Sequence, residues 1–143
     1  LDFCPGFWDW LVEKNKRDQV FSIEKVGDEL KAGSDELATW AIARGEDFFL
    51  KPDVALLSTF RLVSSWVTNQ RYEPGAVNIF LQSADYYLIA HAAAHRLTLV
   101  THEIASTSIK KIKIPDVCLG LNLKCMTPFE MLRVEKARFI LQS

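Results

Sequence analysis

Residues 84–103 have the sequence ADYYLIAHAAAHRLTLVTHE, and this stretch decides the fold. Its first part completes a helical pattern over residues 76–95, in which apolar side chains recur every three or four positions. The following residues, 97–101, are rich in β-forming side chains and bounded by polar ones, which predicts a strand. A long helix that leads directly into a buried strand is typical of an α/β domain.

The same alternation extends outward in both directions from this stretch. Towards the carboxyl end, residues 119–125 alternate as a half-buried strand does, and Thr127 and Glu130 form a capping box that predicts a helix to about residue 139. Strands that alternate with helices predict a largely parallel sheet with helices on both faces. Towards the amino end, helices are predicted at 7–12, 26–33, 34–45 and 54–67, and strands at 20–23 and 48–50.

Composition limits the classes of protein to consider. The 143 residues are 49% hydrophobic, enough for one packed domain over residues 1–143. The three cysteines lack C-x-x-C spacing, which disfavours a disulfide framework or a zinc site and predicts a cytoplasmic protein. No apolar run reaches the roughly 20 residues that cross a bilayer, so no membrane association is expected. The four tryptophans occupy apolar helical positions and are predicted to be core residues: Trp8, Trp10, Trp40 and Trp66.

Three acidic residues occupy positions where α/β proteins often carry function. Glu29 follows the strand at 20–23, Asp85 shares a helical stripe with apolar residues, and Glu103 follows the strand at 97–101. These carboxylates could share a hard divalent cation, Mg²⁺ or Mn²⁺, which prefers oxygen ligands. The alternative is that Asp85 makes a structural hydrogen bond while the other two acids are solvated, and the spacing alone favours this alternative.

The histidines allow a second kind of metal site. His91 and His95 are four residues apart on one helix, and His102 is a third candidate zinc ligand. At about 100° per residue, however, the first two lie roughly opposite the stripe of Asp85. The sequence therefore predicts that they face solvent or an interface.

Three lysines alternate with isoleucines after the strand at 97–101. Lys110, Lys111 and Lys113 fall between isoleucines in a pattern that predicts an extended segment with one solvated face. The alternative is that these lysines steer phosphate groups. From Thr101 onward the chain has seven Lys or Arg against four Asp or Glu, although the whole chain has a net charge of -1.

Three segments, in this order, resemble the motifs of PIN domains. They are Val26-Gly27-Asp28-Glu29-Leu30, the helix from Ala84 to Ala92 that begins Ala-Asp-Tyr-Tyr, and Leu99-Val100-Thr101-His102-Glu103. The family has a V-x-x-E-L helix, a D-x-x-I-A-x-A helix and a strand that ends in T-x-D. The resemblance covers nearly the whole chain, and residues 2–10 and 124–132 resemble a bacterial subgroup, the toxins of toxin–antitoxin pairs.

The resemblance implies a three-layer α/β/α fold with a mostly parallel central sheet. It also implies a ribonuclease that cleaves single-stranded RNA by metal-activated water and leaves a 5′-phosphate and a 3′-hydroxyl. Glu29, Asp85 and Glu103 would hold Mg²⁺ or Mn²⁺, and the hydroxyl of Thr101 would support substrate or water. A cognate antitoxin protein and a homodimer are the further partners that it implies.

The chain departs from the family pattern at two points. Glu103 stands where aspartate is commoner, and no hydrophobic strand that ends in an aspartate precedes Leu1. We therefore expect on the order of 15 to 20 further residues upstream, which would supply the central strand and a fourth metal-binding acid. Without that acid the chain would be inactive. The alternatives are a non-catalytic PIN-like module that binds RNA or protein, and an unrelated α/β domain with structural acids.

Overall fold

The computed structural model describes residues 5–17 and 19–134. Contacts divide the chain into two compact units, the first from Leu1–Pro52 with Leu132–Ser143 and the second from Asp53–Met131. The single domain predicted for residues 1–143 stays a prediction. In chain order the elements are α1 Pro5–Lys16, β1 Ser22–Ile23, α2 Glu24–Lys31, α3 Glu36–Ile42, β2 Phe49–Leu50, α4 Leu56–Thr68, α5 Pro74–Leu81, α6 Ala84–His95, β3 Leu99–Val100, α7 Ile114–Gly120, β4 Cys125–Met126 and α8 Pro128–Val134.

The first unit packs α2 and α3 against a parallel pair of strands. Ser22 of β1 is in register with Phe49 of β2. The small core of the first unit contains Phe48, Phe49 and Ala41. Gly27 of α2 is buried, and a Cβ atom there would lie 2.9 Å from the ring of Phe49. The absence of a side chain at residue 27 is therefore what lets α2 approach the strand so closely.

The second unit contains the larger core and a second parallel pair. Leu99 of β3 is in register with Cys125 of β4. The helices α4 and α6 pack against each other, and the hydroxyl of Thr59 on α4 donates a hydrogen bond to the Ala90 carbonyl of α6 at 3.0 Å. Val63 and Ile89 are fully buried in this core.

The helix predicted over residues 76–95 is two helices, α5 and α6. The hydroxyl of Ser83 donates to the Phe80 carbonyl at 2.7 Å and accepts the Tyr86 N–H at 3.4 Å. One serine thus caps the end of α5 and the start of α6. These side-chain hydrogen bonds compete with the backbone hydrogen bonds of a continuous helix, so the helix is interrupted at Ser83. The prediction of one long helix was wrong because it considered only the spacing of apolar side chains.

The strand predicted at residues 119–125 is also corrected. Residues 114–120 form the helix α7, which begins with proline in its first turn, and strand structure is confined to Cys125–Met126. The capping box before α8 is confirmed: Glu130 accepts the Thr127 N–H at 3.4 Å, and Thr127 accepts the Glu130 N–H at 3.2 Å. The predicted continuation of this helix to residue 139 lies outside the described residues.

The coarse fold class is confirmed as mixed α/β with parallel strands. Within the described residues the strands form two separate two-stranded sheets, and the three-layer arrangement stays a prediction. No helix in the described part of the chain is both long and apolar enough to span a membrane. The cytoplasmic location also stays a prediction.

Candidate functional site

A cleft of about 360 Å³ lies at the carboxyl ends of β3 and β4 in the second unit. Thr101 and Glu103 follow β3, while Thr127 and Glu130 follow β4, and all four line the cleft. The four residues lie close together because β3 and β4 are parallel, so the segments that follow them begin at the same edge of the strand pair. The Thr101 N–H donates to the Met126 carbonyl at 3.0 Å, which extends the pairing to the mouth of the cleft.

Glu103 is held at both its backbone and its carboxylate. Its N–H donates to the hydroxyl oxygen of Thr101 at 3.1 Å. Its Oε2 accepts the N–H of Ile114, the first residue of α7, at 2.8 Å. The carboxylate therefore satisfies one of the free N–H groups at the start of that helix and lies close to its positive end.

The loop between β3 and α7 is fixed at a second point. Asp116, in the first turn of α7, accepts the Ser106 N–H at 3.0 Å through Oδ2 and at 3.3 Å through Oδ1. Together with the bond from Ile114 to Glu103, this interaction ties the first part of the loop to the first turn of α7. The loop geometry thus depends on two carboxylates, of which only Glu103 lines the cleft.

Asp85 lies in the first turn of α6 and is partly buried. The helix ends at Arg96, which has a left-handed backbone with φ 53°, and β3 begins three residues later. Asp85 is not among the residues that line the cleft, and its convergence with Glu103 stays a prediction. The predicted inward stripe is confirmed by Ile89 and Ala92, which are buried.

Glu29 lies on α2 in the first unit and is exposed. Its convergence with Asp85 and Glu103, which belong to the second unit, stays a prediction. Among the described residues there is no group of three or more His, Cys, Asp or Glu side chains that could hold a metal ion.

Two thiols in the cleft were missed by the sequence analysis. Cys118 of α7 is buried, Cys125 of β4 is partly buried, and the two side chains are hydrogen-bonded. Burial is the main reason why the pKa of Cys118 rises to about 12, and burial also raises the pKa of Cys125. Both thiols are therefore protonated near neutral pH and are poor metal ligands.

The remaining donors of the cleft are oxygen atoms. Carboxylates come from Glu103 and Glu130, and hydroxyls come from Thr101 and Thr127. This donor chemistry fits Mg²⁺ or Mn²⁺ better than a thiophilic metal. The sequence predicted Thr127 and Glu130 only as a helix cap. The strand before them was predicted at residues 119–125, whereas β4 is Cys125–Met126.

The prediction that His91 faces solvent or an interface was wrong. His91 is only 3% exposed, and neither nitrogen of its ring has a hydrogen-bond partner in the described part of the chain. Burial, followed by the nearby His95, lowers the pKa of His91, while Asp53 acts in the opposite direction. His95 is exposed, as predicted, and its Nε2 lies 2.9 Å from Oδ2 of Asp53. The face of α6 opposite Asp85 is thus also covered.

The lysine segment is irregular and only partly matches the prediction. Ile112 and Ile114 are buried, Lys113 is partly buried, and the exposed residues are Lys110, Lys111 and, against the predicted pattern, Ile109. The predicted solvated face is present, but no strand forms here. The tryptophans predicted as core residues are all only partly buried: Trp8, Trp10, Trp40 and Trp66.

Comparison with known proteins gives one match. Residues 1–139 match the family model described as a domain of unknown function, DUF4411. Neither the curated proteins nor the solved structures contain a match.

Proposed function

The chain belongs to the DUF4411 family of domains of unknown function, and from its own residues we propose that it is a divalent-metal-dependent ribonuclease for single-stranded RNA. The observation that carries the proposal is the cleft at the carboxyl ends of β3 and β4, which Thr101 and Glu103 line. In parallel α/β sheets this edge is where functional residues collect.

In this proposal Glu29, Asp85 and Glu103 hold Mg²⁺ or Mn²⁺. When bound, the cation neutralises charge on a phosphoryl oxygen and lowers the pKa of a bound water. Thr101 acts as a positioning residue, because its hydroxyl oxygen accepts the Glu103 N–H and so fixes the start of the loop that carries this carboxylate. The oxygen-rich donor set of the cleft supports this choice of cation.

The fold that accompanies this proposal is a three-layer PIN-like α/β/α arrangement with a mostly parallel central sheet. Both described strand pairs, β1–β2 and β3–β4, are parallel, which supports it.

The proposed substrate and partners follow from the same resemblance and from charge. Lys110, Lys111 and Lys113 belong to the loop that starts at Glu103, and the two exposed lysines can attract RNA phosphates. We propose that the protein acts as the toxin of a toxin–antitoxin pair, is restrained by a cognate antitoxin protein and forms a homodimer.

The experiment that tests the proposal is an RNA cleavage assay with the full-length protein and its Asp85→Asn variant. Asparagine keeps the shape of the side chain and removes its charge, so cleavage in Mg²⁺ or Mn²⁺ should be lost while the circular dichroism spectrum stays the same. Asp35→Asn is the matched control, because Asp35 also begins a helix and accepts the Ala38 N–H at 2.9 Å, a role that asparagine fills equally well. Equal cleavage by all three proteins would show that Asp85 is not one of the metal-binding residues.

One observation favours a second candidate function, a non-catalytic module that binds RNA or protein. Oε2 of Glu103 already accepts the Ile114 N–H, which is a structural role for this carboxylate. A module of this kind would bind RNA with the same affinity in Mg²⁺ and in EDTA and would leave it intact. Metal-dependent cleavage by the purified full-length protein would exclude this second function.

A further inference from the structure

A second cleft, of about 500 Å³, lies within the first unit, and its lining includes none of Glu29, Asp85 and Glu103. One wall comes from α1, and the other from α3 and the turn that follows it. Trp8 and Trp40 line the two walls, and their rings meet edge to face with centroids 5.1 Å apart. Neither ring is fully buried, so the cleft presents aromatic surface to solvent.

Arg44 gives this cleft a cation beside its aromatic wall. Its guanidinium carbon lies 5.2 Å from the centroid of the Trp40 ring. Its Nε is buried and has no hydrogen-bond acceptor among the described residues. Arg44 as a whole is only partly buried, so a ligand in the cleft can reach the exposed part of its side chain.

Four charged side chains line the cleft, two acidic and two basic. Asp9, Glu13 and Lys16 are exposed, and Glu13 is paired with Arg17 at 3.2 Å, whereas Arg44 is partly buried against the Trp40 ring. A ligand that combines a flat aromatic group with an anion therefore matches the indole surface and the guanidinium beside it.

We propose that this cleft binds one nucleotide of single-stranded RNA, with the base against Trp8 and the phosphate on Arg44. Bases stack on aromatic side chains and arginine planes in single-strand binders, and arginine pairs with phosphate through two N–H groups. The choice of RNA over another anionic aromatic ligand rests on the proposed ribonuclease function. The cleft would anchor the substrate strand outside the proposed metal site.

Binding can be measured without cleavage by keeping the full-length protein in EDTA. Fluorescence anisotropy with a labelled oligouridylate of about ten nucleotides covers a typical single-strand site. Arg44→Gln should weaken binding about tenfold, as expected for one lost charge-assisted contact, and Arg44→Lys should weaken it less. Arg71→Gln is the matched control because Arg71 is exposed and lies in the other unit, and it should stay within about twofold of the unchanged protein. Equal affinities for Arg44→Gln and Arg71→Gln would overturn the proposal.

A second measurement uses only the unchanged protein, so it decides the matter even if Arg44→Gln does not fold. Uridine 5′-monophosphate should quench the tryptophan fluorescence to saturation, whereas inorganic phosphate should not; no quenching by the nucleotide would overturn the proposal. The result for this cleft can be distinguished from the result for the proposed ribonuclease function. RNA binding that depends on Arg44 without cleavage in Mg²⁺ would keep this subsite and refute the ribonuclease, and cleavage with no role for Arg44 would do the reverse.

Discussion

Replacing Glu103 separates its structural role from the metal-binding role that we propose. Its Oε2 accepts the Ile114 N–H at 2.8 Å, and the N-cap residue Lys113 provides no side-chain hydrogen bond to α7. Glu103→Ala leaves the N–H of a buried residue, Ile114, without its acceptor, which costs about 1 to 3 kcal/mol. Glu103→Gln keeps an acceptor and loses only the favourable charge at the helix start, about 0.3 to 1 kcal/mol.

The two variants should therefore differ in stability and agree in activity. Urea unfolding should give Glu103→Ala the larger loss of unfolding free energy, with the same m-value as the unchanged protein. RNA cleavage in Mg²⁺ should fall about a hundredfold or more in both variants, because each lacks the charged ligand. Asp116→Asn is the matched control: it alters the other carboxylate that ties the loop to α7, and its cleavage rate should stay within about twofold of the unchanged protein.

Two results would refute this reasoning about Glu103. Cleavage at the normal rate by Glu103→Gln would reduce the residue to a helix cap. Equal stability of Glu103→Ala and the unchanged protein would show that the bond to Ile114 contributes nothing to folding.

Two further predictions concern stability. Gly120→Ala should lower the unfolding free energy in urea by about 1 to 3 kcal/mol, because its Cβ would collide with the Trp66 ring. Gly75→Ala, with open space around it, should be neutral or stabilising, and equal effects of the two substitutions would contradict the close approach at Gly120. Burial lowers the pKa of His91 in the folded state, so the unfolded state binds the proton more readily and stability should fall as pH drops below the ordinary value of about 6.5, by at most about 1.4 kcal/mol per pH unit. The acid-dependent loss should be smaller in His91→Leu, measured by urea unfolding at several pH values, and an unchanged pH profile would count against this origin.

Local patterns were enough to predict much of the second unit. The β-rich residues 97–101 contain β3, and the capping box of Thr127 and Glu130 begins α8. Both depend on interactions among residues close in sequence, which a single chain displays directly. The break at Ser83 is equally local, but its hydroxyl bonds do not alter the apolar spacing that predicted one helix.

The errors at the candidate site arise from packing between distant segments. His91 is buried, although it lies on the side of α6 that the spacing of apolar residues predicted to be polar. Cys118 and Cys125 meet because α7 packs against β4, and no spacing rule indicates that contact. Of the three predicted acids, Glu103 lines the cleft and Asp85 and Glu29 do not; Glu103 reaches it because β3 and β4 are parallel, which the spacing of the acids does not reveal.

Mapping the ends of RNA exposed to the full-length protein tests most directly whether carboxylates of this chain hold a divalent cation for RNA hydrolysis. With Mg²⁺ or Mn²⁺ we predict cleavage of single-stranded RNA into fragments with 5′-phosphate and 3′-hydroxyl ends, and no cleavage in EDTA. Intact RNA under both conditions, or cleavage that continues in EDTA, would contradict this prediction.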